Sequence, residues 1–124
     1  PDGNLWRKDL NECCSLRKVK PLNLNLKDFK AWFSGRKAYH SHTRSKNEIV
    51  ELQQNKYVIS PLLNLDRKSI NNYIYKYDLP IHPLVDKGYF SIGCTHCTKK
   101  TESLNDIRSG RWNNSIKSEC GIHK

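Results

Sequence analysis

Five cysteines are the residues of this chain whose type and spacing could do chemistry. Cys94 and Cys97 form a CxxC motif, so their two thiols can reach one metal centre together. Cys13 and Cys14 are adjacent near the start, and Cys120 stands apart near the end. Two pairs of thiols complete a four-thiolate metal site. A CxxC motif alone also fits a zinc knuckle, half of an iron–sulfur site or a redox pair.

Cys13 and Cys14 are followed closely by the basic residues Arg17 and Lys18. Adjacent cysteines rarely form a disulfide with each other, because the ring would be strained against the preferred geometry of the bond. Both can still ligate different irons of one cluster, which is larger than a single zinc ion. The nearby positive charge favours thiolate and offsets the negative charge of a thiolate-ligated cluster. The alternative is that both thiols are buried apolar side chains.

Cys120 lies in a terminal segment with Gly121, His123 and Lys124 as close neighbours. Positive charge beside a thiol lowers its pKa, and the thiolate is the form that attacks electrophiles. The sequence therefore makes Cys120 a candidate mobile nucleophile, with an inert terminal cysteine as the alternative.

The composition describes a small, polar and basic chain. It has 124 residues, a formal net charge of +10 and a mean hydropathy of −0.79, which predicts one domain with little apolar surface to bury. No apolar run is long enough to span a bilayer, and no export signal is evident. The spread of basic residues indicates an anionic partner, either nucleic acid or a phosphate or sulfate, or else a solvated basic surface.

The cysteine count and the first residue carry two further expectations. An odd number of cysteines without an export signal favours a reducing compartment, the cytoplasm, and metal or catalytic thiols over disulfides. The sequence begins with Pro1 and contains no methionine. We therefore expect a piece of a longer protein, or a processed one. We expect its fold to be stabilised by a missing segment, a bound cluster or both.

Short elements must position these residues. Residues 30–34 read as a short buried strand, and residues 49–52 and 57–59 as a hairpin. Residues 36–44 form a basic loop after the first strand. The loop is a candidate anion site, with an ordinary surface loop as the alternative.

One helix is predicted from Asp66, which can cap it, to about Tyr77. Its apolar face includes Tyr73 and Tyr77, and we expect these tyrosines in the core. Nearer the start, Pro21 is expected to end the segment with the paired cysteines. The leucines of residues 22–26 fit either a short helix or a strand.

Taken together, the motifs follow one order along the chain. They are ECC at 12–14, LRKVxPL at 16–22, WxSGR at 32–36, TR at 43–44, DLPxHPL at 78–84, GYxSIGCxxCT at 88–98, RxGRW at 108–112 and ECGIH at 119–123. This set resembles the C-terminal part of the thioredoxin-dependent assimilatory adenylylsulfate and phosphoadenylylsulfate (APS/PAPS) reductases of the iron–sulfur type. The paired cysteines together with ECGIH are the most specific motifs.

The resemblance implies an α/β fold with a parallel sheet and helices on both sides, the adenine-nucleotide alpha-hydrolase-like (PAPS reductase) fold. Residues 1–124 would be one partial domain with short strands, one clear helix and the loops that carry a cluster. The N-terminal nucleotide-binding half of the family would be missing. Residues 113–124 would form a mobile segment that closes Cys120 over the substrate and opens for thioredoxin.

The same resemblance implies roles for individual residues. A 4Fe–4S cluster would be ligated by Cys13, Cys14, Cys94 and Cys97. The phosphosulfate of the substrate would be bound by Lys18, Arg44, Arg108, Arg111 and His123. Lys18 would lie between the cluster and the substrate.

The implied reaction is the reduction of APS to sulfite and AMP, in sulfate assimilation and cysteine biosynthesis. Cys120 would attack the sulfate sulfur, release AMP and become S-sulfonated. A thiol of thioredoxin or glutaredoxin would then release sulfite. In this family the cluster goes mainly with APS, and PAPS is the alternative substrate.

Two interpretations from other classes stay open. A small binding module would hold structural zinc at the four thiols and nucleic acid on its basic surface. Adjacent cysteines are unusual for zinc, and no nucleic-acid motif is present. An inactive remnant would keep the motifs without binding adenylate. For the enzyme we expect no nucleic acid and no membrane as partners, and a homo-oligomer stays possible.

Overall fold

The computed structural model describes residues 3–101, 103–112, 117 and 119–123, which form short helices and a three-stranded sheet. The helices are α1 (Leu5–Lys8), α2 (Leu10–Cys14), α3 (Lys20–Asn25), α4 (His42–Ser45) and α5 (Arg67–Lys76). The strands are β1 (Ala31–Phe33), β2 (Val50–Gln53) and β3 (Lys56–Ile59). None of the helices in the described part of the chain combines the length and the apolar character that crossing a membrane requires.

A π-helical segment, Ser15–Val19, joins α2 to α3, so residues 10–25 form one helical stretch. Asp9 caps its start by accepting a hydrogen bond at 2.9 Å from an amide of the first turn. The expectation that Pro21 ends this segment is wrong. Pro21 lies in the first turn of α3, where its missing amide proton is tolerated. The leucine run is therefore helical, and the chain has a second helical stretch beside the one predicted.

The sheet has the strand order β1-β3-β2. β2 and β3 form the predicted antiparallel hairpin. Gln54 and Asn55 at its turn have φ of 51° and 61°, the left-handed pair that matches the twist of a two-residue hairpin. β1 runs parallel to β3, with Trp32 opposite Val58. This mixed sheet with its helices gives the predicted α/β class.

The described core is small and rich in cysteine. Its buried apolar residues are Cys13, Cys14, Val58, Leu63, Cys97, Ile107 and Trp112. The expectation that the first strand is buried is wrong, because β1 lies at the edge of the sheet and its Phe33 is 75% exposed. Much of the interior is therefore the thiol-bearing region itself.

Helix α5 begins where the sequence predicts. Asp66 caps it by accepting a hydrogen bond from the Ser69 amide at 2.7 Å, and Asp78, with φ of 47°, turns the chain out of the helix. The expectation that its tyrosines lie in the core is wrong. Tyr73 and Tyr77 are 56% and 52% exposed and contact each other, because α5 buries none of its residues.

Arg36, in the predicted basic loop, is buried and engaged within the fold. Its guanidinium donates to Oε2 of Glu51 at 2.5 Å and to Oγ of Ser60 at 3.1 Å. These contacts tie the chain after β1 to the hairpin. The rest of the loop is partly helical, with a 3-10 turn at Ala38–His40 followed by α4.

Candidate active site

Four thiols from the two cysteine motifs line one small pocket. Cys13 and Cys14 lie at the end of α2, and a 3-10 turn that follows Cys94 ends at Cys97. The amide of Cys97 donates to the carbonyl of Cys94 at 2.9 Å, which closes the turn. Cys94 is half-buried and the other three thiol residues are buried. The fold thus brings together two motifs that lie far apart in the sequence.

Two aromatic rings cover part of this thiol pocket. The indole of Trp6 stacks on the imidazole of His96, with 4.4 Å between ring centres and 4° between planes, and both residues line the pocket. The Arg7 guanidinium lies 4.9 Å from the centre of the indole. Sequence reasoning missed this pair, because Trp6 belongs to a polar stretch that carries no motif.

The donor set suits a thiolate-ligated cluster. Burial raises the pKa of the Cys97 thiol, the nearby Cys94 and Cys14 raise it further, and Lys18 lowers it. Crowded thiolates need positive charge beside them, which iron and Lys18 would supply. The pocket encloses about 10 Å³ here, so the thiols would have to move apart around a cluster. Among the described residues, no three His, Cys, Asp or Glu side chains lie close enough together to hold one metal ion.

A second pocket, of about 360 Å³, collects the residues predicted for substrate and reaction. Its lining includes Lys18, Arg44, Arg108, Arg111, Cys120 and His123, and we call it the anion pocket. Lys18 lines the thiol pocket as well, so it lies between the two. Nε1 of Trp112 and Nδ1 of His123 are buried on this lining and make no hydrogen bond within the described ranges. A basic pocket with a thiol in its wall can hold an oxyanion beside a nucleophile.

Residues 119–123 lie docked beside the anion pocket. The His123 ring stacks on Trp32 with 5.3 Å between ring centres, and its Nε2 lies 3.4 Å from Oγ of Ser34. These contacts hold Cys120 at the pocket wall. Of the expected mobile segment, residues 113–116, 118 and 124 lie outside the described residues, and the mobility stays a prediction.

Glu119 contacts two of the pocket arginines. Its carboxylate accepts hydrogen bonds from Arg44 at 2.6 and 3.1 Å and lies 3.1 Å from Nη2 of Arg108. Burial raises the pKa of this carboxyl, but the Arg44 hydrogen bonds and the charge of Arg108 outweigh burial and hold the pKa below its ordinary value. Glu119 belongs to the ECGIH motif, yet the sequence alone offers no partner for it.

Arg111 links the CxxC loop to the anion pocket. Its Nε donates to the carbonyl of Cys97 at 3.2 Å and its Nη1 to the carbonyl of Ile92 at 3.3 Å. A Cβ at Gly93 would come within 2.2 Å of this guanidinium, so the glycine makes room for it. The same guanidinium lies 4.4 Å from the centre of the Trp112 ring.

Two histidines near the arginines are held neutral. Burial, followed by the charges of Lys37 and Arg44, lowers the pKa of His40 to about 4. Burial, followed by the charges of Arg36 and Arg44, lowers the pKa of His123 to about 4. The positive charge of the anion pocket near pH 7 therefore comes from its lysine and arginines.

A comparison with known protein families adds to this geometry. The family described as "Phosphoadenosine phosphosulfate reductase domain" matches residues 1–100. The chain belongs to this family. The matched range contains all four thiols of the thiol pocket and ends before Arg108, Arg111 and Cys120.

Family members named adenosine 5'-phosphosulfate reductase match nearly the whole chain. The one from Lysinibacillus sphaericus (strain C3-41) is 43% identical over 123 residues, which is 97% of this chain and 52% of the relative. The one from Geobacillus thermodenitrificans (strain NG80-2) is 44% identical over 122 residues, 96% of this chain and 52% of the relative. The chain spans about half the length of these curated relatives.

A solved structure of the family gives the fold. The phosphate complex of phosphoadenylyl-sulfate (PAPS) reductase from Candida auris superimposes with a TM-score of 0.64 and 28% identity. The match covers 76% of this chain and 46% of that one. The predicted resemblance to APS/PAPS reductases and the predicted fold class are both confirmed.

Proposed function

We propose that this chain carries the cluster-binding and sulfur-transfer part of an adenylylsulfate reductase, an oxidoreductase of sulfate assimilation and cysteine biosynthesis. The observation that carries the proposal is the anion pocket, where the candidate nucleophile Cys120 shares a wall with the basic residues predicted to bind phosphosulfate. The name shared by these curated relatives supports APS as the substrate. A reducing compartment, the cytoplasm, suits its free thiols.

The proposed cofactor is a 4Fe–4S cluster held by Cys13, Cys14, Cys94 and Cys97. When bound, it would supply a delocalised iron centre that balances the charge of the four thiolates. The chain's own part is to bring the two cysteine pairs to one pocket, with Lys18 between that pocket and the anion pocket.

In the first proposed step the oxyanion groups of APS lie against Arg44 and Arg108, whose guanidinium forks fit sulfate and phosphate oxygens. The thiolate of Cys120 attacks the sulfate sulfur, and a sulfur–sulfur bond forms. The sulfur–oxygen bond to AMP breaks, and its electron pair leaves on the AMP phosphate. The positive side chains stabilise the charge that builds up on these oxygens.

In the second proposed step a thiolate of thioredoxin or glutaredoxin attacks Sγ of Cys120. Sulfite leaves with the electron pair of the sulfur–sulfur bond, and a mixed disulfide remains. The second thiol of the donor resolves the mixed disulfide and restores the Cys120 thiolate, so the two electrons come from the donor dithiol. Cys120 is half-buried in the docked segment, so the step requires that segment to open.

The test uses anaerobically purified chain and its Cys120→Ser variant. We expect about four irons and four acid-labile sulfides in both. With APS and no donor, only the unsubstituted chain should release AMP and gain one sulfonate group by mass spectrometry, and sulfite should follow when thioredoxin is added. Normal sulfite release by Cys120→Ser would overturn the assignment of the nucleophile.

The same measurements separate the alternatives. The structural match to a PAPS reductase favours PAPS as the second candidate substrate, and faster AMP release from APS than adenosine 3',5'-bisphosphate release from PAPS would decide for APS. One zinc and no sulfide would favour the binding module. Iron and sulfide without substrate binding would favour the inactive remnant. The homo-oligomer and the absence of a nucleic-acid partner stay predictions.

A further inference from the structure

The carboxylate of Glu119 occupies the groups that the proposed substrate needs. It accepts hydrogen bonds from Nε of Arg44 at 2.6 Å and Nη2 of Arg44 at 3.1 Å, and it lies 3.1 Å from Nη2 of Arg108. The three side chains are only 11–15% exposed. Water and salt therefore screen these contacts less than those of a surface pair.

A substrate oxyanion would use the same donors. A carboxylate and a sulfate or phosphate present similar pairs of acceptor oxygens to a guanidinium. Burial and the charge of Arg44 lower the pKa of Arg108. The two positive charges therefore repel each other, and an anion between them offsets this repulsion. Glu119 is that anion in this structure, and an incoming oxyanion can replace it at these donors.

We propose that Glu119 is a positioning residue that holds Cys120 beside the anion pocket before substrate arrives and is displaced from Arg44 and Arg108 by the substrate oxyanion. The inference rests on the proposed function, since it takes both arginines as substrate ligands. Glu119 directly precedes Cys120 in the chain. Displacement of its carboxylate therefore releases the backbone next to the nucleophile, while the stack of His123 on Trp32 still anchors the segment.

Two measurable consequences follow from this exchange. An incoming anion must first break the ion pair between Glu119 and the two arginines, which weakens its net binding. Removing the Glu119 carboxylate should therefore strengthen anion binding. The same removal should loosen the segment around Cys120 when no anion is present. A residue that only stabilised the segment would produce the second effect without the first.

The test compares Glu119→Gln with the unsubstituted chain, both cluster-loaded, by calorimetric titration with inorganic sulfate. Glutamine keeps the size of the side chain and removes its charge. We expect the Kd for sulfate to fall about tenfold, the scale of one charge-assisted contact. In sulfate-free buffer, Cys120 of the variant should react severalfold faster with iodoacetamide.

Glu12→Gln is the matched control, because it removes the same charge from an exposed pair with Lys20 at 3.6 Å. It should leave the sulfate Kd and the alkylation rate unchanged. Equal or weaker sulfate binding by Glu119→Gln, with binding by the unsubstituted chain intact, would overturn the displacement and leave the proposed function standing. No sulfate binding by either chain, or no weakening by Arg44→Gln, would overturn both proposals.

Discussion

At the scale of single residues, the stack of Trp6 on His96 lies at the pocket of the proposed cluster. Both rings line the thiol pocket, and we expect them to limit the access of water and oxygen to the cysteines. We expect Trp6→Ala to bind the proposed cluster anaerobically but to lose its visible absorption severalfold faster in air. Trp6→Phe retains a flat ring and should lose the absorption at close to the original rate.

Trp32→Ala is the matched control, because Trp32 also stacks on a histidine but does not line the thiol pocket. This variant should lose its visible absorption in air at the same rate as the unsubstituted chain. Equal bleaching rates for Trp6→Ala and Trp32→Ala would show that the stack on His96 does not shield the cysteines. Iron release to a chelator without oxygen separates loss of shielding from loss of affinity.

At the scale of elements, the Arg36–Glu51 pair joins the chain after β1 to the hairpin. The Arg36 side chain is 1% exposed, and removing one partner of a buried pair leaves an uncompensated charge. Glu51→Ala should therefore lower the free energy of unfolding by about 3 kcal/mol. Urea titration followed by circular dichroism measures this loss. Glu12→Ala removes an exposed carboxylate and should cost less than about 1 kcal/mol, so equal losses would contradict the argument.

The elements that the sequence predicted are those fixed by local chemistry. The hairpin follows from two short β-rich runs around Gln54 and Asn55, and α5 follows from the cap at Asp66. Pro21 misled the prediction, because a proline is tolerated in the first turn of a helix and the preceding π segment is not readable from periodicity. The exposure of Phe33 could not be predicted, because it follows from the position of β1 at the edge of the sheet and not from the sequence of the strand.

At the scale of the whole molecule, the family resemblance carried by the motifs predicted which residues line each pocket. The cysteine pairs line one pocket, and the predicted basic residues and Cys120 line the next, with Lys18 in both. The motifs did not predict contacts of residues that lie outside a motif or have no evident partner in the sequence. Examples are the contact of Trp6 with His96 and that of Glu119 with Arg44. Such contacts are set by the three-dimensional path of the chain.

The stability of the whole fold should depend on pH through two imidazoles. The pKa of His40 and that of His123 are about 4 in the folded chain, against about 6.5 for an unfolded histidine. Between pH 6.5 and 4 the unfolded chain therefore binds protons that the folded chain excludes. The contribution of the two histidines to the free energy of unfolding is therefore present above about pH 6.5 and is lost as the pH falls towards 4.

Urea unfolding between pH 7 and pH 5 measures this dependence, and we expect the free energy of unfolding to decrease steadily over that range. A double variant, His40→Asn with His123→Asn, should show a shallower decrease, because it lacks both titrating groups. Above about pH 8 the two imidazoles are almost entirely neutral in both states and should contribute almost no slope, which serves as the internal control. If the double variant kept the original slope of unfolding free energy against pH below pH 6.5, groups other than these histidines would be responsible for the proton uptake.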